Sequence, residues 1–211
     1  MSAQQTAGEQ RPASARVQRK RGQRRQEILT AAAELFGERG YDAVNLDDVA
    51  DRLDLTKGSL YYYFSGKEEL GTAAIETLGA EWTSRLKQLL DRTDGSPRTR
   101  LRALIHEHLT IAVHDYPAAL RLFLIPREWP DTQRERIKEL RQRHDTLFRD
   151  LIEEGLLEGD LQTISVNTTL QCMHAAMSQA PLWCAELAPA QQQAAVDEIT
   201  DTLMMMVAVA A

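Results

Sequence analysis

Between Thr56 and Lys67 the chain brings small hydrogen-bonding side chains, aromatic hydroxyls and lysines into one short stretch, Thr-Lys-Gly-Ser-Leu-Tyr-Tyr-Tyr-Phe-Ser-Gly-Lys. The set suits a polyanion with readable edges. Lys57 can donate to a base edge or a phosphate, and Thr56 and Ser59 can donate hydroxyls to phosphate. Tyr61 and Tyr62 offer hydroxyls to phosphate and ring faces to thymine methyls. Gly58 carries no side chain, so a helix starting here can bring its N-terminus close to DNA, at a cost of about 1 kcal/mol in helix propensity. Lys67 falls at the start of the next helix, where free backbone N–H groups favour a phosphate. The competing reading is a small helical core whose aromatics simply pack. Leu60, Tyr63 and Phe64 share a face by their i, i+3, i+4 spacing and are expected inside, which leaves Tyr61 and Tyr62 pointing elsewhere.

The elements that would hold these residues follow from periodicity and capping. Ile28, Ala31, Ala32, Leu35 and Phe36 give a helix from about Arg24 that Gly40 ends. Asn45 caps a second helix with Asp47 and Asp48 in its first turn, where the helix dipole favours acid. Asp54-Leu55 makes a short turn, and Thr56 caps a third helix, Lys57 to Phe64. Two short helices joined in this way form a helix-turn-helix. Ser65-Gly66-Lys67-Glu68 reads as an S-x-x-E capping box opening a fourth helix that runs to about Leu90.

Charge separates along the chain in the same sense. The 211 residues carry 25 Lys+Arg and 31 Asp+Glu, a net −6, which taken whole argues against nucleic acid. Residues 1–25, however, hold Arg11, Arg16, Arg19, Lys20, Arg21, Arg24 and Arg25 against Glu9 alone. This reads as a basic arm for a polyanion, with residues 1–20 a flexible tail. No apolar run approaches the ~18 residues of a membrane span, and no signal-peptide core appears, so a cytoplasmic protein without membrane contact is expected. Cys172 and Cys184 are too few for a disulfide framework. The nucleophile-elbow, P-loop, zinc-protease and dinucleotide motifs are missing, so no catalytic residues and no cofactor are expected and an enzyme is disfavoured.

Residues 24–70, and above all Tyr41 to Leu70, resemble the DNA-binding domain of TetR-type transcriptional regulators. The resemblance rests on Gly40-Tyr41, Val49-Ala50, Gly58-Ser59-Leu60-Tyr61, Tyr63-Phe64 and Lys67-Glu68-Glu69-Leu70. It implies an all-α homodimer that binds a pseudo-palindromic double-stranded operator, with a C-terminal helical domain that takes a small-molecule effector and releases DNA. Arg24, Asn45, Thr56, Lys57, Gly58, Ser59, Tyr61, Tyr62 and Lys67 are then the expected DNA contacts. Asn45 stands where the family usually has Ser or Thr, an equivalent cap. Asp54 stands where the family often has Gly, and Asp tolerates a left-handed backbone better than most residues.

The expected organisation is a tail (1–21), a helix-turn-helix domain (22–82) and a helical ligand-binding and dimerisation domain (83–211), about nine helices in all. Pro97 opens a helix lined by Leu101, Leu104, Ile105, His108 and Leu109. A short helix from Pro117 to about Ile125 is followed by one from Asp131 to Glu154 ended by Gly155. Another spans Val166 to Cys184, broken near Pro181, and the last starts at Pro189. By the same resemblance Trp82, His108, Phe123, Trp129 and His144 fall among helices around a ligand cavity, with ordinary core packing as the alternative. An apolar lining would favour a hydrophobic effector. Arg121, Arg127 and the run Arg134–Arg143 could meet an anionic head group, or form a solvated helix face. His106, His108 and His114 lack metal-ligand spacing, and no metal is expected. The faces Met173, Ala176, Met177, Ala180 and Val196, Ile199, Leu203, Met206, Val207 suggest a four-helix bundle with a second copy. The competing functions are a redox- or metal-responsive DNA-binding regulator and an architectural DNA-binding protein without a ligand.

Overall fold

The structure is a computed structural model and describes residues 11–115 and 129–208. Eight α-helices account for most of the described residues: α1 Arg11–Arg39, α2 Leu46–Arg52, α3 Lys57–Tyr61, α4 Lys67–Leu90, α5 Pro97–Thr110, α6 Asp131–Glu158, α7 Val166–Cys184 and α8 Pro189–Met205. A π-helical turn, Ile111–Asp115, extends α5. The fold is all-α, as expected. The short helix expected at Pro117–Ile125, together with Arg121, Phe123 and Arg127, lies outside the described residues.

Two apolar cores meet along α4. The first gathers Ile28, Leu35 and Phe36 of α1, Leu46 and Val49 of α2, Leu60 and Phe64, and the N-terminal half of α4 through Leu78. The second begins at Trp82 and Leu86 and takes in α5, the C-terminal half of α6, α7 and α8.

Local chemistry sets most helix ends. Asn45 accepts from Asp48 N–H, and the Asp48 carboxylate takes the Asn45 N–H at 2.8 Å, a reciprocal capping box. The Thr56 hydroxyl accepts from Ser59 N–H, and Ser96 caps α5 ahead of Pro97. Asp54 adopts φ +54°, the left-handed backbone anticipated for the turn.

Several expected boundaries move. α1 starts at Arg11, so residues 11–20 are helical and not a flexible tail. That segment is rich in Arg, Gln, Ala and Lys, good helix formers that extend a helix already nucleated by the buried 28–36 face. α3 stops at Tyr61, three residues early. The capping box at Ser65 does not form with Glu68. Gly66 is the N-cap of α4, without a side-chain bond, and the Ser65 N–H and hydroxyl both donate to Glu69, at 2.8 and 2.7 Å. α6 runs through Gly155 and ends at Gly159, φ +74°. Gly155 instead gives room to Leu161, whose Cδ1 would lie 2.5 Å from any Cβ there. α7 continues through Pro181, because a proline in the last turn removes one hydrogen bond near an end that has few left to lose.

Met173, Met177, Ala180, Val196, Leu203 and Val207 are buried within the chain's own second core. Of the other residues expected on a partner-facing surface, Ala176 and Ile199 are partly buried against the same core and Met206 is exposed. The exposed apolar residues of α7, α8 and the turn after it are Leu182, Trp183, Met205 and Met206.

Candidate nucleic-acid interface and internal cleft

α2 and α3 form a compact pair on α1, joined through the Asp54 turn. Leu60 and Phe64 are anchored in the core, at 0% and 1% exposure, while Tyr61 and Tyr62 stand out at 47% and 64%. Thr56, Lys57 and Gly58 are exposed beside them, and a Cβ on Gly58 would meet nothing within 4 Å. The N-terminal turn of α3 is therefore open to close approach.

The cations around this surface are held by short-range partners. Lys57 Nζ lies 2.7 Å from Asp47 Oδ2, a hydrogen bond that holds the ammonium charged. Lys67 Nζ donates to the Asp42 carbonyl at 3.1 Å and sits 4.4 Å from the Tyr41 ring centroid. Arg24 pairs with Glu27 at 2.7 Å. From α1, Arg21 lies 5.0 Å from the Tyr62 ring centroid and Arg25 the same distance from that of Phe64. α1 thus reaches the same surface as α3. Asn45 is exposed but occupied by its capping box.

The second feature is an open cleft of about 1170 Å³ between α4, α5, α6 and α7. Trp82, His108 and His144 line it together. Trp129 does not. It is packed in the first core, 3% exposed, against Tyr41 and Phe36 at 4.5 and 5.6 Å between ring centroids. The sequence offers an aromatic between two prolines but no sign of which core receives it. Phe123 lies outside the described residues. Among the lining residues that spacing alone does not single out are His174, one position after the buried Met173, and Gln171, one turn before Ala175 on the same face of α7.

Within the cleft His108 Nδ1 and His144 Nε2 are 2.9 Å apart, a hydrogen bond between imidazoles. Burial pushes His108 down to about 3, with His174 nearby adding to the effect. It pushes His144 down as well, with His108, His174 and Arg141 contributing. Both rings are therefore neutral near pH 7, and one donates to the other. His174 is lowered by burial, opposed by Asp145. Asp145 Oδ1 is 3.2 Å from His174 Nε2 without the alignment of a hydrogen bond. Two nitrogens facing each other cannot also face one metal ion. Among the described residues no cluster of His, Cys, Asp and Glu is arranged to hold a metal. Cys184 is buried and its thiol is pushed up by that burial, the wrong direction for a reactive thiolate. Cys172 is exposed. Among the described residues, no helix is long and apolar enough to cross a membrane.

Comparison with known proteins agrees with this architecture. Residues 28–74 match the bacterial regulatory proteins of the tetR family, and residues 94–207 match the tetracyclin repressor-like C-terminal domain. The chain is 38% identical over 111 residues to the HTH-type transcriptional activator FasR of Mycolicibacterium smegmatis, spanning 51% of this chain and about half, 50%, of that relative. It is 30% identical over 148 residues to the HTH-type transcriptional repressor KstR2 of the same organism, covering 66% of this chain and 68% of that one. The solved structure of the ketosteroid transcriptional regulator KstR2 of Mycobacterium tuberculosis superposes with a TM-score of 0.76 at 22% identity, over 89% of this chain and 96% of that chain. With both halves matched and the helix-turn-helix in place, the chain belongs to the TetR family of bacterial regulatory proteins and is a DNA-binding transcriptional regulator.

Proposed function

We propose that the chain is a cytoplasmic homodimeric repressor that leaves a palindromic operator when a small effector fills the cleft. Arg24, Asn45, Thr56, Lys57, Gly58, Ser59, Tyr61, Tyr62 and Lys67 make up the operator-facing surface, and Trp82, His108 and His144 belong to the effector site. The observation that carries the DNA half is the division of α3. Leu60 is fully buried while Lys57, Gly58, Tyr61 and Tyr62 face outward, an arrangement suited to a recognition helix in the major groove. Lys57 and Lys67 exchange their present partners, Asp47 and the Asp42 carbonyl, for phosphate or base edges. Dimerisation uses the exposed Leu182, Trp183, Met205 and Met206 rather than the buried methionines. It sets two α3 helices in successive major grooves, about 34–36 Å apart or a multiple of it.

The cleft holds the effector. Its lining combines apolar Ile137, Leu140 and Leu170 with polar and charged side chains, so the ligand is amphipathic rather than simply hydrophobic; the similar KstR2 is a ketosteroid regulator. Release requires that the ligand bind the DNA-incompetent form more tightly, since equal affinity for both forms shifts nothing.

Selection of binding sites from a random duplex library with the full chain tests the DNA half. A palindromic site is expected. Lys57→Ala or Tyr61→Ala should weaken binding to it by about 1–3 kcal/mol. Wild-type affinity in both variants removes α3 from the interface.

A further inference from the structure

The cleft walls carry Arg134, Lys138, Arg141 and Arg149 against Glu135 and Asp145. The lining is therefore positive in a chain of net charge −6. Most of these groups are already matched within the chain. Arg134 pairs with Asp131, and Lys138 lies 3.7 Å from Glu135. Arg149 holds Asp145 at 3.2 Å. Arg141 has no ion pair or hydrogen bond among the described residues. Its charge nonetheless reaches the cleft's imidazoles, because it disfavours protonation of both His144 and His174.

A second group on the same walls also lacks a partner. The Trp82 ring lines the cleft at 6% exposure, and its Nε1–H has no acceptor among the described residues. A buried donor left in that condition costs about 1–3 kcal/mol, and a ligand oxygen satisfies it. Beside it, the neutral His108–His144 pair uses one N–H and one ring nitrogen on itself, leaving one donor and one acceptor. Ile137, Leu140 and Leu170 supply an apolar floor.

We infer that the cleft takes an amphipathic anion. Its apolar body lies on Ile137, Leu140 and Leu170, an oxygen accepts from Trp82 Nε1, and a carboxylate or phosphate meets Arg141. This rests on reading the cleft as the effector site. Arg141 precedes His144 by three residues on α6, about 4.5 Å along the helix axis, so the anionic group sits roughly one turn from the His108–His144 pair. A guanidinium with no internal partner offers its fork to a carboxylate or a phosphate, either of which can bind it bidentately. It opposes a cationic ligand and gains nothing from a neutral one. The volume, about 1170 Å³, calls for a long or polycyclic body.

Isothermal titration of the full chain with decanoate, decyl phosphate, 1-decanol and decyltrimethylammonium, all below their micellar concentrations, tests this. At least one anion should bind about tenfold or more tightly than the alcohol or the ammonium, the scale of a charge-assisted hydrogen bond. Arg141→Gln should abolish that preference while leaving 1-decanol binding unchanged, and Arg141→Lys should restore part of it. Tighter decyl phosphate assigns the head group to phosphate, and tighter decanoate to carboxylate. Equal binding of the neutral or cationic chain, anion binding indifferent to Arg141→Gln, or no binding of either anion overturns the inference. The effector-site reading falls on a different result: an anion held by Arg141 that leaves affinity for the selected operator unchanged.

Discussion

The Trp129 ring lies 4.5 Å from the Tyr41 ring, centroid to centroid, so the residue two positions before α6 is built into the core of the DNA-binding head. α6 continues from that anchor with Ile137 and Leu140 in the same core, then lines the cleft with Arg141 and His144. Gln133 Nε2 bonds Thr72 at 3.0 Å and Arg136 bonds Glu76 at 2.7 Å, tying α6 to α4 along the way. One helix therefore touches both the DNA-binding head and the cleft. On the proposed reading of the cleft, a ligand that tilts α6 acts on Tyr41 through Trp129 alone.

Trp129→Ala should lower stability by about 3–5 kcal/mol, the usual cost of emptying a buried aromatic site. Gly71→Ala should cost less, about 1–3 kcal/mol, by overpacking. Its Cβ would lie 2.8 Å from Tyr41 Cε2 and 3.2 Å from Trp129 Cζ3. Denaturant midpoints measure both, and unchanged midpoints would mean that the ring stack relaxes freely.

Asp54 holds φ +54° in the turn between α2 and α3, a conformation that strains any residue with a Cβ. Asp54→Gly should raise stability by about 0.5–1 kcal/mol and remove a negative charge next to the α3 N-terminus, tightening operator binding most at low salt. Asp54→Val should destabilise by more than 1 kcal/mol, because a β-branched side chain tolerates this backbone worst. If all three proteins unfold alike, the turn is not under strain.

The head was legible because its information is local. Asn45 and Thr56 cap by contacts three residues away, and Leu60 and Phe64 are four apart on one face. What the sequence concealed depends on contacts between distant segments. Trp129 reads as an aromatic flanked by prolines, and only the path of the chain takes it to Tyr41 rather than to Trp82. Met173 and Met177 read as a free stripe until the second core is seen to take them in. Residues 11–20 have no apolar face, so periodicity is silent there, although their helix propensity is high. The cleft was half legible: His108 and His144 sit on apolar stripes where a polar ring stands out, whereas Arg141 is hidden in a run of similar charges.

The His108–His144 pair gives the protein an acid limit. Burial holds His108 at about 3 and lowers His144 also, while in the unfolded chain both titrate near 6.5. The unfolded state thus binds more protons between those values. Stability from these rings is complete above about pH 6.5 and falls as the pH drops below it, by about 1.4 kcal/mol per pH unit for His108 down to about pH 3 and in the same direction for His144. The double variant His108→Leu/His144→Leu, which removes both partners together, should flatten the curve between pH 6 and 4 relative to wild type. Urea unfolding at stepped pH measures the difference, and parallel curves would mean that the rings are protonated in the folded protein.

The exposed N-terminal part of α1 carries Arg16, Arg19, Lys20, Arg21, Arg24 and Arg25 on a rigid rod, two of them poised over aromatic rings at α3. A helical arm places its cations at fixed positions, so its loss should show in the salt dependence of operator binding. Deleting residues 1–23 should reduce the slope of log affinity against log salt by about 0.9 for each phosphate contact removed. Because Arg21 rests on the Tyr62 ring, the arm and the recognition surface should also be coupled. Arg21→Ala and Tyr62→Ala should be non-additive by about 0.5–1 kcal/mol in operator affinity, the scale of an exposed cation–π contact. An unchanged slope would put the arm off the duplex. Strict additivity with a reduced slope would keep it on the DNA but independent of α3.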